Sequence, residues 1–173
     1  ASISTRLNLK FMSVKINYKS GSFKKNSSNL VLFVDEKFDI SNTKRYISKS
    51  EYFSISDRLK NKDINKKILA FDLNSKKQII LVSIRKNIKI SEIENLGANF
   101  YDQFKDLKQN EIIINSDTFS KKIKNLLGHF LHGLMLKSYN FDKYKTKKNK
   151  KNINIFVIGK NKPSLLDQIK FKA

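Results

Sequence analysis

Two periods of apolar and polar residues alternate along this chain. Residues 14–18 switch apolar and polar at every step, the pattern of a half-buried strand. Leu30-Val31-Leu32-Phe33-Val34 is apolar throughout, as in a strand covered on both faces. Residues 68–73 and 78–84 are two further β-rich runs around Asn74-Ser75, which predicts a hairpin. Ile112-Ile113-Ile114 and residues 153–158 predict two more short strands.

Between these runs the period changes to that of a helix. Residues 43–50 and 55–60 predict one or two short helices. Ser91-Glu92-Ile93-Glu94 has the spacing of a capping box, and Ile93, Leu96, Phe100, Phe104 and Leu107 then recur at helical intervals up to Gln109-Asn110. A third helix, capped by Ser116 or Asp117, presents Phe119, Ile123, Leu126, Leu127, Phe130, Leu131 and Leu134 on one face. Pro163, with Leu165, Leu166 and Ile169 behind it, predicts a last helix. The order β, β, α, β, β, α, β, α, β, α implies an α/β fold: a mixed sheet with helices on both faces, in three layers. The pattern shows no internal repeat and no interdomain linker.

Composition narrows the chemistry. The 173 residues suit one domain, and the chain has no cysteine, which excludes disulfides, thiolate metal sites and cysteine nucleophiles. No apolar run approaches the roughly 18 residues of a membrane span, and residues 1–11 lack the apolar core of a secretory signal. Residues 1–11 read as an upstream extension, and the expected location is cytoplasmic. The formal charge of +21 has two readings. One is a polyanionic partner. The other is codon usage: only four of the 36 basic residues are arginine, while Lys, Asn, Ile and Phe, all encoded by A/T-rich codons, abound. Codon usage is the favoured reading, because dedicated nucleic-acid sites prefer the bidentate arginine fork.

Residues 133–148 read Gly-Leu-Met-Leu-Lys-Ser-Tyr-Asn-Phe-Asp-Lys-Tyr-Lys-Thr-Lys-Lys. Through Gly133, Leu134, Leu136, Tyr139, Phe141, Asp142, Tyr144, Lys145 and Lys147, this segment resembles the end of the last helix in the N-terminal domain of the leucyl (cytosol) aminopeptidases. The resemblance implies a macro-domain-like fold over residues 12–162, with residues 163–173 beginning the helix that leads to a catalytic domain. It also implies a non-catalytic role in assembly and active-site access, with the chain's own catalytic domain and a homo-hexamer as partners. The two divalent metal ions of the family, zinc or manganese, belong to that catalytic domain. Its Asn-Thr-Asp-Ala-Glu-Gly-Arg run has no counterpart here, so no catalytic or metal-binding residue is assigned to these 173 residues. Gly133, Tyr139, Phe141, Asp142 and Tyr144 are structural in this reading, with Tyr139 and Phe141 packed into the core.

Other constellations remain as alternatives. Lys143, Lys145, Lys147, Lys148, Lys150 and Lys151 form a basic loop beside aromatics, the composition of a nucleic-acid-binding module, although a solvated loop explains it too. DNA is therefore a candidate partner. His129 and His132, the only histidines, could ligate a metal, but no carboxylate lies one turn away and zinc requires three or four ligands. They are expected at the surface or in a subunit contact. Glu92 and Glu94 read as first-turn acids that favour the helix dipole. The five glycines are too scattered for a phosphate-cradling loop, which argues against a macro-type nucleotide site.

Overall fold

A computed structural model of the chain describes residues 14–19, 29–63, 65–106, 111–119, 126–144 and 152–159, with side chains up to residue 140 in the last helix. The strands are β1 (Val14–Lys19), β2 (Asn29–Val34), β3 (Ile68–Asp72), β4 (Gln78–Ser83), β5 (Glu111–Asn115) and β6 (Ile153–Ile158). The α-helices are α1 (Lys49–Leu59), α2 (Ile90–Phe104) and α3 (Leu126–Tyr144). Short 3-10 helices occupy Ser41–Arg45 and Ser116–Thr118. The upstream extension, the end of α2's predicted pattern and the helix expected after Pro163 lie outside the described residues.

All six strands join one sheet in the order β1-β6-β5-β2-β4-β3. Only the hairpin partner β3 runs antiparallel, pairing Ile68 with Val82 and Asp72 with Gln78. The inner parallel strands β2, β4 and β5 are apolar on both sides because both sides are covered, while the edge strand β1 alternates apolar and polar. In β2, Val31 and Phe33 face α2 and α3. Leu30, Leu32 and Val34 face the opposite layer, built by Phe38, Ile40, Ile47 and Ile55. This is the three-layer α/β architecture that the alternating pattern predicts.

The α2–α3 pair is packed backbone to backbone. A Cβ added at Gly97 would overlap the Phe130 carbonyl oxygen and stand 3.1 Å from the Leu134 nitrogen. One added at Gly133 would overlap the Glu94 carbonyl oxygen and stand 2.8 Å from its Cα. Two glycines facing each other's helix thus set the interhelical distance.

Helix starts differ from the expected ones. The capping box is at Ser48: its hydroxyl accepts from the Glu51 N–H (3.2 Å), and the Glu51 carboxylate accepts from the Ser48 N–H (2.9 Å). At the second Ser-x-x-Glu the helix begins two residues earlier than a box at Ser91 requires, at Ile90, with Lys89 as an N-cap that makes no side-chain cap. Glu94 cannot reach back there, because its carboxylate is turned towards α3. Ser116 and Asp117 do not cap α3 either. They form a 3-10 turn capped by Asn115, and α3 starts at Leu126. Phe119 is nevertheless buried, in the link between the two.

Glu51 also ties α1 to the hairpin, through Lys77 Nζ at 2.7 Å. Burial pushes its carboxyl up, but Lys77 and the Ser48 N–H hold it, on balance, below the ordinary glutamate value. A depressed folded-state pKa adds stability above the unfolded pKa, and that stability is lost as pH falls through the folded value. Lys77→Met is therefore expected to cost about 1–2 kcal/mol at neutral pH. In urea titrations the gap to the parent protein should begin to shrink near about pH 4, where the unfolded glutamate becomes protonated, and close at lower pH once the folded carboxylate is protonated as well. A gap that persists unchanged at low pH would mean that Lys77 acts through packing alone.

Candidate functional site

Parallel sheets place their loops for function at the carboxyl ends of the strands, where neighbouring connections diverge. Here that point lies between β2 and β5. The chain leaving β2 leads towards β4 on one side, and the chain leaving β5 leads towards β6 on the other. Asp35 follows β2, Asn115 to Thr118 follow β5, and Gly159 follows β6.

This end of the sheet is closed by the chain's own polar groups. Asp35 Oδ1 accepts hydrogen bonds from the backbone N–H of Lys37 (3.1 Å) and Asp39 (2.9 Å). The Asp35 carbonyl accepts from Phe38 N–H (3.1 Å) and Ser83 Oγ (3.0 Å). Phe38 completes this tight turn at φ 56°. Across from it, Thr118 Oγ1 accepts from Phe33 N–H (2.9 Å) and donates to the Asn115 carbonyl (2.7 Å). Ser116 Oγ donates to the Ile158 carbonyl at 3.1 Å. Gly159, at φ 138°, lies flush against this turn: a Cβ there would overlap Ser116 Oγ and meet Asp117 Cγ at 2.9 Å. Only glycine combines that φ with so close an approach.

Carboxylates take up backbone N–H donors at this end of the sheet. Convergent backbone N–H groups are what an anion nest offers a phosphate. In the β2 loop the Asp35 carboxylate occupies that role. Asp39 adds a second carboxylate, held below its ordinary pKa by hydrogen bonds from Ser41 and by nearby Lys44. Burial raises the Tyr46 hydroxyl, and the negative charge of Asp117 raises it further.

The histidines lie elsewhere, on α3 facing α2. His129 Nδ1 is 3.2 Å and His132 Nδ1 is 3.5 Å from Glu94 Oε1. Both are half-buried at the edge of a neighbouring helix, and a carboxylate that the spacing within α3 does not show comes from α2. Helical spacing within one segment could not reveal it. Among the described residues, no group of three or more His, Asp or Glu side chains is arranged to hold a metal. Glu92 points to another partner, Arg85, which binds it with two nitrogens at 3.1 Å and 2.5 Å. A small apolar cavity between Val14, Phe100, Phe104, Leu134 and Ile155 has a volume of ~10 Å³, room for little more than a water.

The motif residues are spread along α3. Gly133 sits at the helix crossing. Tyr139, expected in the core, is 42% exposed, and Leu136 is 49% exposed on the same helix. The reason for the correction is geometric: the buried stripe continues through Leu134, Met135 and Ser138, which turns Tyr139 outward. Phe141, Asp142, Lys143 and Tyr144 belong to the last turn of α3. Lys145, Lys147, Lys148, Lys150 and Lys151 lie outside the described residues. The described helices include none long and apolar enough to cross a membrane.

Taken together, the strand order, the single antiparallel hairpin and the covered faces define a macrodomain-like α/β fold. The structure is similar to a mutant of tomato leucine aminopeptidase, with a TM-score of 0.57 and 15% identity over 92% of this chain. It is as similar to the macrodomain of Thermus aquaticus DarG, with a TM-score of 0.56 and 11% identity over 85% of this chain. This chain spans only 35% of the aminopeptidase but 99% of the macrodomain. No family model matches the sequence, and no curated protein matches it. At these identities the likeness is one of fold.

Proposed function

We propose that this chain is a non-catalytic, macro-like N-terminal domain of a leucyl aminopeptidase-like metallopeptidase, an enzyme that removes N-terminal amino acids from peptides. Its work would be architectural: docking against its catalytic domain, contributing to a hexamer and shaping access to the active site. The two divalent metals would be held by that other domain.

The observation that carries this reading is the self-closed carboxyl end of the sheet. Asp35 fills its own loop's N–H donors, Ser116 and Thr118 are bonded to neighbouring backbone, and Gly159 is sealed against Ser116 and Asp117. A macro fold that binds a nucleotide needs those donors for phosphate. A macro fold that serves as a supporting domain does not. The fold likeness to an aminopeptidase over 92% of this chain is compatible with this choice.

The test has two parts. The 173-residue chain, supplied with zinc or manganese, is expected not to hydrolyse leucine amide, and it should give no heat with ADP-ribose in calorimetry. The polypeptide purified from its source is expected to be roughly three times longer, since this chain matches 35% of the aminopeptidase, and to hydrolyse leucine amide. Metal-dependent cleavage by the 173 residues alone, or micromolar ADP-ribose binding, would overturn the proposal.

A further inference from the structure

A second surface has features that an architectural role does not use. It lies on α1, on the opposite layer from the α2–α3 pair. Phe53 is 67% exposed, more than any other large apolar side chain described. Ile55, two residues on, is 1% exposed. Two residues span about 200° of a helix, so burying Ile55 drives the Phe53 ring outward.

The ring is held in place. The Ser48–Glu51 capping box fixes the helix start, and Lys77 ties Glu51 to the β3–β4 hairpin. Farther along, Arg58 donates to the Asp72 carbonyl at 2.7 Å. Tyr52 stands edge-on to Phe53, with centroids 5.9 Å apart and planes at 79°. Lys44 Nζ lies 5.0 Å above the Tyr52 ring. Two aromatic rings and a cation thus form a preorganised unit on the surface.

The surroundings identify the partner's chemistry. Residues 43–67 contain eight Lys and Arg against three Asp and Glu. Two of those three acids are already paired, Glu51 with Lys77 and Asp57 with Lys60. Phe53 is flanked at helical spacing by Lys49, Ser50, Ser56 and Asp57, all polar. A helix that enters a membrane needs an apolar face, and a protein hot spot needs an apolar pocket or ridge around its anchor. An exposed ring beside a second ring, with Lys49 one helical turn away and Lys44 over Tyr52, offers something else: a flat face for a base and cations for its phosphates.

We infer that the α1 surface around Phe53, Tyr52, Lys44 and Lys49 binds single-stranded nucleic acid, with Phe53 as a stacking platform. Arg58 is occupied by the Asp72 carbonyl, so the contact relies on lysine and ring faces and tolerates any base sequence.

The chain has no tryptophan, which makes a direct test simple. Phe53→Trp introduces a single reporter at an exposed position. Its indole emission is expected to be quenched when unlabelled (dT)20 binds, and quenched far less by a duplex of equal length. In anisotropy measurements with labelled (dT)20, Phe53→Ala should weaken binding about tenfold. Lys44→Glu with Lys49→Glu should weaken it further and flatten its salt dependence. Both changes are at exposed positions, so unaltered circular dichroism and melting will confirm folding. The inference is overturned if bound oligonucleotide leaves the indole emission of the Phe53→Trp variant unchanged, or if Phe53→Ala binds as the parent does. It is also overturned if all the loss follows Lys145, Lys147 and Lys148→Glu instead, or if the indole reporter responds to anionic phosphatidylglycerol vesicles and not to (dT)20.

Discussion

Gly133→Ala is expected to destabilise the protein by about 2–3 kcal/mol, lowering Tm by roughly 5–10 °C. The sign is not obvious from the residue alone. Alanine favours a helix over glycine by about 1 kcal/mol, so in an isolated α3 the change would help. In the folded protein the new methyl group meets backbone: the Glu94 carbonyl oxygen, with Cα at 2.8 Å and the carbonyl carbon at 2.6 Å. A flexible side chain could rotate aside, but a helix backbone cannot, so α2 and α3 must separate along a densely packed interface. Gly97→Ala is expected to do the same through the Phe130 carbonyl. Because one outward shift of α2 relieves both overlaps, the double variant should cost clearly less than the sum of the singles. Urea titrations of the three variants decide the matter. A Gly133→Ala protein as stable as its parent would mean that the helices do not cross this closely.

The second large effect is expected at Phe130. Its side chain is fully buried and meets Phe33 at 5.5 Å and 89°, and Phe100 at 5.6 Å and 63°. Phe33 in turn meets Phe119 edge-on at 4.7 Å. This cluster joins β2, α2, α3 and the turn after β5 in one contact network. Phe130→Ala removes the central ring, and the surrounding strands and helices cannot collapse into the space, so about 3–5 kcal/mol is expected to be lost. Single domains have roughly 5–15 kcal/mol in total, which places this variant near the edge of folding. Phe130→Leu keeps most of the volume and should cost less than half as much. Should Phe130→Ala lose under about 1 kcal/mol in the same titration, the aromatic cluster is not the centre of the core.

Much of the architecture is legible from residue order. Every strand falls where the apolar pattern places it: strands buried on both faces leave apolar runs, as in Leu30 to Val34 and Ile112 to Ile114, and the half-buried β1 leaves an alternation. Phe100, Leu127, Phe130, Leu131 and Leu134 are likewise buried as their spacing requires. Helix ends are less legible. Ser-x-x-Glu occurs at Ser48 and at Ser91, and only the first forms a box. The difference involves a partner distant in sequence, since His129 holds Glu94, the glutamate of the second pattern. Within α3 the expected burial of Tyr139 fails because the helix keeps turning at about 3.6 residues per turn beyond Leu134, carrying that ring off the covered side.

The candidate sites divide in the same way. A nucleotide loop is disfavoured by the scarcity of glycine, a property of composition. That the β2 loop fills its own N–H donors with Asp35 is visible only when residues 35 to 39 are folded into their turn. The histidine pair is legible as a pair, while its carboxylate, 35 residues away in sequence, is not. Phe53 reads as one more aromatic in an ambiguous stretch until Ile55 and the capping box fix which way the helix faces.

By itself, then, the sequence determined the strands, the helical faces, the α/β class and the strong positive charge, because these depend on the period of apolar residues and on composition, both local quantities. The tertiary structure alone decided the strand order, the close crossing at Gly97 and Gly133, the pairing of Glu94 with two histidines, the sealing of the carboxyl end of the sheet and the outward setting of Phe53. Each of these depends on which distant segments meet, and the free energy of that meeting belongs to the packed whole and to no single stretch of chain.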